Sequence, residues 1–182
     1  MRPMRRAFAI ALGMVLCAGC GATHHKAPPK RSKLAQAQAT HEYPSPPPPR
    51  QTAAGATSTA AQAVRAFATA YINWTAQTVA GDMASLAARS VGQARSAMIL
   101  AAAQTADDYE LQRGGIANHG TVEAVAPLPR KPNQYVVVTL ESTSATNTTA
   151  YQGLRPAWHV ALATVTEQQP GQWVLSGWQP EN

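Results

Sequence analysis

Tyr135-Val-Val-Val-Thr-Leu-Glu141 decides the fold of this chain, because a run of β-branched and aromatic residues this dense reads as a strand and not as a helix. Working outward, Gly120 to Ala126, Trp158 to Thr166 and Trp173 to Trp178 carry the same texture, giving four expected strands. Breakers separate them: three prolines between Pro127 and Asn133, the polar stretch Thr143 to Pro156, and Pro170-Gly171 within Gln168 to Gly171. In the central run, Val136, Val138 and Leu140 are expected on the buried face and Tyr135, Thr139 and Glu141 on the other. In the next strand Trp158, Val160 and Leu162 fall on one side and His159, Ala161, Ala163 and Val165 on the other, with one face expected to pack on the helices and the other to stay open.

Before Gly114-Gly115 the periodicity is helical. Thr59 with Gln62 predicts a capping box, after which Val64, Phe67, Tyr71, Trp74 and Thr78 recur at three- and four-residue steps. Asp82 is expected to cap a second, short helix through Leu86. Ser90 with Gln93 predicts another capping box, followed by a third helix along Ala94, Met98, Ala101, Ala102 and Thr105 to about Asp107. Three helices followed by about four strands predict an α+β domain, with a curved, cone-like antiparallel sheet packed on the helices. There is no internal repeat.

The N-terminal third has a different character. Arg2, Arg5 and Arg6 precede a short apolar run from Ala7 to Ala18, the order of an export signal over residues 1–19. That run is too short to cross a bilayer as a helix, which takes about 20 residues. Leu16-Cys-Ala-Gly-Cys20 resembles the lipobox of bacterial lipoproteins, with Cys17 where that pattern places Leu. The resemblance implies that Cys20 becomes an acylated N-terminus, so the membrane is the first expected partner; the alternative is ordinary cleavage behind Ala22 and a secreted protein. Residues 20–57, rich in Ala, Pro and Lys and including Tyr43-Pro-Ser-Pro-Pro-Pro-Pro-Arg50, are expected to form a disordered basic tether, leaving residues 58–182 as the folded domain.

Charge follows the same division. The whole chain is formally +6, but residues 1–56 hold eight Lys or Arg against Glu42 alone, leaving seven against eight acids in the rest. A nucleic-acid interface requires basic residues on a folded face, so none is expected. Cys17 lies in the leader and Cys20 at its cut site, so the domain has neither a disulfide nor a cysteine metal site to stabilise it.

With a long first helix carrying VRAFATAYINW (64–74), a strand GTVEAV (120–125) and a closing GQWVLSGWQP (171–180), residues 58–182 resemble the nuclear transport factor 2-like superfamily. The resemblance implies a curved sheet wrapped on a long helix, with a pocket at the open end of the cone. It also implies kinship with small tethered envelope proteins, for which the fold is an assembly platform, and with ketosteroid-isomerase-like enzymes, which need a carboxylate base in the pocket.

Pocket-lining candidates are Tyr71, Trp74, Glu141, Trp158 and His159. Glu123 and Glu141 are read first as solvated strand positions, Asp107 and Asp108 as solvated carboxylates at a helix end, His119 as a loop residue and His159 as a structural histidine. Tyr71, Trp74, Trp158, Trp173 and Trp178 are read first as core. No catalytic residue, metal or cofactor is expected, because no nucleophile elbow, phosphate loop, metalloprotease pair or dinucleotide fingerprint occurs. The chain therefore reads as an exported, lipid-anchored interaction or assembly module of the cell envelope, with envelope proteins as partners. The alternative is a pocket protein that binds a small apolar ligand or acts as a ketosteroid-isomerase-like enzyme.

Overall fold

The computed structural model describes residues 47–181, together with Ser32, Lys33 and Ala35. The expected leader and Cys20 lie outside the described residues, as does most of the tether. From Pro49 onward the chain is one α+β unit whose five-stranded antiparallel sheet curls into a half-barrel. Its strands are β1 (Trp74–Thr75), β2 (Ile116–Leu128), β3 (Lys131–Ala145), β4 (Ala157–Gln169) and β5 (Gln172–Glu181), hydrogen-bonded in chain order.

The first helix, α1 (Ala60–Ile72), starts at Thr59, whose hydroxyl accepts from the Gln62 amide at 3.3 Å. The Gln62 side chain meets the Ser58 hydroxyl instead of closing the reciprocal bond of a capping box. Ala63, Val64, Phe67, Ala68 and Ile72 form its buried stripe, and this stripe lies against β2, β3, β4 and β5. The helix ends earlier than the apolar spacing suggests. Asn73 turns the chain into an extended conformation, donating back to the Thr69 carbonyl at 2.8 Å, and Trp74 and Thr75 become the edge strand β1. Trp74 and Thr78 thus leave the helix whose stripe they appear to continue in sequence.

Two further expectations about helix starts are corrected. Helix α2 (Val79–Ala88) starts behind Thr78, placing Asp82 inside its first turn and not at the cap. Helix α3 (Gly92–Ala106) starts behind Val91, so Ser90 and Gln93 do not form a capping box. Ser90 is fully buried and its hydroxyl donates to the Leu86 carbonyl at 2.8 Å. Gln93 is used across the fold: its side-chain oxygen accepts from the Trp178 amide at 2.8 Å, and its side-chain nitrogen donates to the Trp178 carbonyl at 3.2 Å. Tertiary pairing with β5 therefore wins over local capping. A fourth helix, α4 (Tyr109–Gly114), adds to the three expected; Asp108 caps it by accepting from the Glu110 and Leu111 amides. Gly115 ends it at φ +59°, where an added Cβ would also collide with the Thr146 hydroxyl.

The side-chain phase of β3 is the reverse of the expected one. Val137 and Thr139 are buried on the face that meets α1, which places Tyr135 and Glu141 on that inner face and turns Val136, Val138 and Leu140 outward. Both phases of Tyr135-Val-Val-Val-Thr-Leu-Glu141 carry apolar residues, so the count within one strand misleads. The neighbour decides: Tyr135 pairs with Ala163 and Val137 with Ala161, and Ala161, Ala163 and Val165 are buried beneath the helices. The division expected within β4 matches this arrangement, with Trp158 64% and Val160 40% exposed on the outer face.

The hairpins are tighter than the breakers suggest. Pro127 and Pro132 belong to β2 and β3, and the turn itself is Pro129-Arg130 with Arg130 at φ +63°. Pro170-Gly171 turns β4 into β5, with Gly171 at φ +72°. Ahead of α1, residues 51–57 run as a strap. Gly92 donates to Gln51 Oε1 at 2.6 Å, Arg95 to the Thr52 carbonyl, Ala54 to the Ala88 carbonyl, and Thr57 bridges to Trp173. The hydrogen-bonded chain thus extends to the N-terminal side of residue 58.

Phe67, Tyr71 and Trp178 form the aromatic centre of the core, with Trp178 5.2 Å from each of the other two ring centroids. Contacts of this geometry contribute about 0.5–1.5 kcal/mol beyond area burial. Among the described residues no helix is long and apolar enough to cross a membrane.

Candidate functional site

Where α1 gives way to β1, the sheet and helices part and leave a cavity of about 530 Å³. This size falls within the range of small-molecule sites. Its apolar wall comes from Tyr71 at the end of α1, Trp74 on β1, Val79 and Met83 on α2, and Ala101 and Thr105 on α3. The polar side comes from the inner face of the sheet: Asn118 on β2, Glu141 and Thr143 on β3, and His159 on β4. Leu154, Arg155 and Ala157, on and after the β3–β4 loop, form an exposed rim together with His159.

Four of the five sequence candidates, Tyr71, Trp74, Glu141 and His159, therefore face one space. Trp158 does not. Alternation along β4 sends it to the outer face beside Val160, on the far side of the sheet from the cavity. Of the remaining acids, Glu123 is exposed next to a bulge in β2 and accepts from the Thr121 hydroxyl, and Asp108 is the cap of α4. His119, expected in a loop, is an exposed residue of β2 opposite Ser142. Among the described residues no three of His, Cys, Asp or Glu are grouped as a metal site would require.

The polar side is a connected network. Asn118, 6% exposed, donates from Nδ2 to the Ile72 carbonyl at 2.8 Å and to Glu141 Oε2 at 2.8 Å. Its Oδ1 accepts from the Thr143 hydroxyl at 3.1 Å. Glu141 Oε1 accepts from the Thr139 hydroxyl at 2.6 Å. One residue thus satisfies a carbonyl orphaned at the end of α1 and fixes the carboxylate on the cavity wall. Asn73 braces the same corner, since its amide exchanges two hydrogen bonds with the backbone of Gly120, the residue paired with Glu141. An added Cβ at Gly120 would come within 2.8 Å of the Leu140 carbonyl and 3.0 Å of Glu141 Cγ, so the close approach needs glycine.

Tyr71 is the other polar group near Glu141. Burial raises its hydroxyl above the ordinary 10.0, the Trp178 indole N–H beside it works the other way, and the Glu141 charge adds to the rise. That indole N–H is itself buried with no acceptor in hydrogen-bonding geometry. An acceptor carboxylate beside a phenol, set in an aromatic and aliphatic wall, is able to bind an apolar body and orient one polar group on it.

Asn118, Thr143, Met83, Leu154 and Arg155 are site residues that the sequence reading did not single out. An asparagine within a strand is the one available signal, because strands are depleted in Asn. The sequence matches no protein-family model and no curated protein.

Proposed function

We propose that this chain is an exported protein, anchored to the membrane by acyl chains on Cys20, whose α+β domain binds a small, mainly apolar molecule in the cavity between α1, α2, α3 and the inner face of the sheet. The cavity of about 530 Å³, walled by Tyr71, Trp74, Val79 and Met83 and carrying Glu141, is the observation behind this reading. It moves the weight from the assembly module toward the pocket alternative. The order of helices followed by a curled antiparallel meander, with a long helix beneath it, supports kinship with the nuclear transport factor 2-like superfamily. Of the tether expected over residues 20–57, the basic, proline-rich part ahead of the strap at 51–57 would act as the spacer between lipid and domain.

The test is thermal unfolding of the full chain against a panel of small apolar molecules, with Ala101→Phe as the partner variant. Wild type is expected to gain several degrees with at least one compound, and Ala101→Phe, its cavity filled, to gain none. Stabilisation of neither protein, or of both alike, would contradict the pocket reading. The anchor is tested separately: a fatty-acid label should enter the wild type in cells and not Cys20→Ser.

A second reading rests on a different observation. Trp158 and Val160 are exposed on the outer face of the sheet, next to the outward-facing Val136, Val138, Leu140 and Leu162. A contiguous apolar sheet face suits an envelope assembly module docked through β3 and β4. Cross-linking from a photoreactive group at position 158 should then capture envelope proteins, whereas the pocket reading alone expects none.

A further inference from the structure

Resting on the reading that the cavity holds a small molecule, we infer that its ligand is an organic cation: an amine or quaternary ammonium on an apolar body, with the positive charge held between Glu141 and the Tyr71 and Trp74 rings.

The inference follows from the donors and acceptors left over. The donors of Asn118 are committed, with its amide nitrogen bonded to the Ile72 carbonyl and to Glu141, while its oxygen accepts from Thr143. Thr139 gives its hydrogen to Glu141. The network therefore points one way, toward the carboxylate; the wall also holds the neutral donors of Tyr71 and Trp74, but the charged acceptor it builds for a ligand is the set of spare lone pairs on Glu141. A group meeting them has to be a donor, and an anionic ligand would be repelled.

Charge gives the second step. The hydrogen bonds that reach Glu141 come from an amide and a hydroxyl, so they orient the carboxylate without neutralising it. The cations that line the cavity, Arg155 and His159, belong to the exposed rim. Apart from Glu141, the other lining residues, Tyr71, Trp74, Val79 and Met83 among them, supply no charge. A carboxylate that shares a mainly apolar cavity with two aromatic side chains favours a cation, because the ring quadrupoles and the carboxylate attract the same sign. The volume exceeds what a bare ion needs, so the charge comes with an apolar body.

The experiment uses three probes that share an indole body: tryptamine, tryptophol and indoleacetate, titrated into the full chain by calorimetry. The expected order is tryptamine tightest by about tenfold, then tryptophol, then indoleacetate. Glu141→Gln is expected to bring tryptamine down to the level of tryptophol and leave tryptophol unchanged. Equal binding of the amine and the alcohol, or tighter binding of indoleacetate, overturns the cation while leaving the pocket in place. Binding of none of the three overturns the pocket reading itself. Should Glu141→Gln fail to fold, the order of the three on the wild type still decides.

Discussion

Asn118 Nδ2 stands 2.8 Å from Glu141 Oε2, and the same nitrogen donates to the last carbonyl of α1. This contact ties the end of a helix to a carboxylate on the cavity wall, so the stability of the fold and the geometry of the site share one residue. Asn118→Ala should remove both bonds, leaving a buried carbonyl without a donor. A loss of about 1–3 kcal/mol is expected in urea unfolding. A variant as stable as wild type would mean that the corner is held by something else.

Gly120→Ala tests the same corner sterically. The new Cβ would press on the Leu140 carbonyl, Glu141 Cγ and Ile72 Cδ1, all within 3.0 Å. Overpacking of this kind costs about 1–3 kcal/mol and should displace Glu141. Gly153→Ala, where nothing lies within 4 Å and only the backbone at φ +76° objects, is the control and should cost less.

The aromatic core and the outer sheet face should separate cleanly on mutation. Trp178, 4% exposed and packed on Phe67 and Tyr71, should cost about 3–5 kcal/mol when truncated to Ala. Trp158→Ala, on the exposed face, should stay within about 0.5 kcal/mol of wild type. Trp173, expected in the core, is only partly buried and should fall between the two. Equal losses at 158 and 178 would contradict the placement of both.

Tyr71 makes stability depend on alkaline pH. Its folded-state value lies above the unfolded 10.0, so the folded protein keeps the phenol proton after the unfolded chain has released it. The stabilisation is complete below about pH 10 and declines as pH rises from there through the folded-state value. Tyr71→Phe should flatten this part of the pH profile, measured as urea midpoints of wild type and variant. Identical alkaline slopes would show that Tyr71 is not the group responsible.

Much of the architecture was legible because breakers and periodicity agreed. Gly114-Gly115 separates the helices from the four long strands, and Pro170-Gly171 makes the last hairpin as its residues imply. Three features were not legible, each for a physical reason. The stripe from Phe67 through Trp74 keeps its spacing across a helix end, because side-chain period says nothing about where Asn73 turns the backbone. Ser90 and Gln93 resemble a local cap, yet the pairing of Gln93 with the Trp178 backbone takes precedence, and it spans 85 residues. Glu141 faces the cavity because β3 takes the phase dictated by Ala161 and Ala163 on β4, which no count within β3 reveals. The site followed suit: its aromatic wall was named from apolar texture, while Asn118, Thr143 and the rim from Leu154 to Ala157 depended on register and loop path.

The central claim, a ligand seated between α1, α2, α3 and the inner sheet face, is tested most directly by the indole N–H signals in the NMR spectrum of the full chain titrated with tryptamine. Trp74 lines the cavity and Trp158 lies on the opposite face, so the account predicts a saturable shift of the Trp74 signal with Trp158 unmoved. A shift confined to Trp158, or no shift at saturating ligand, would contradict it.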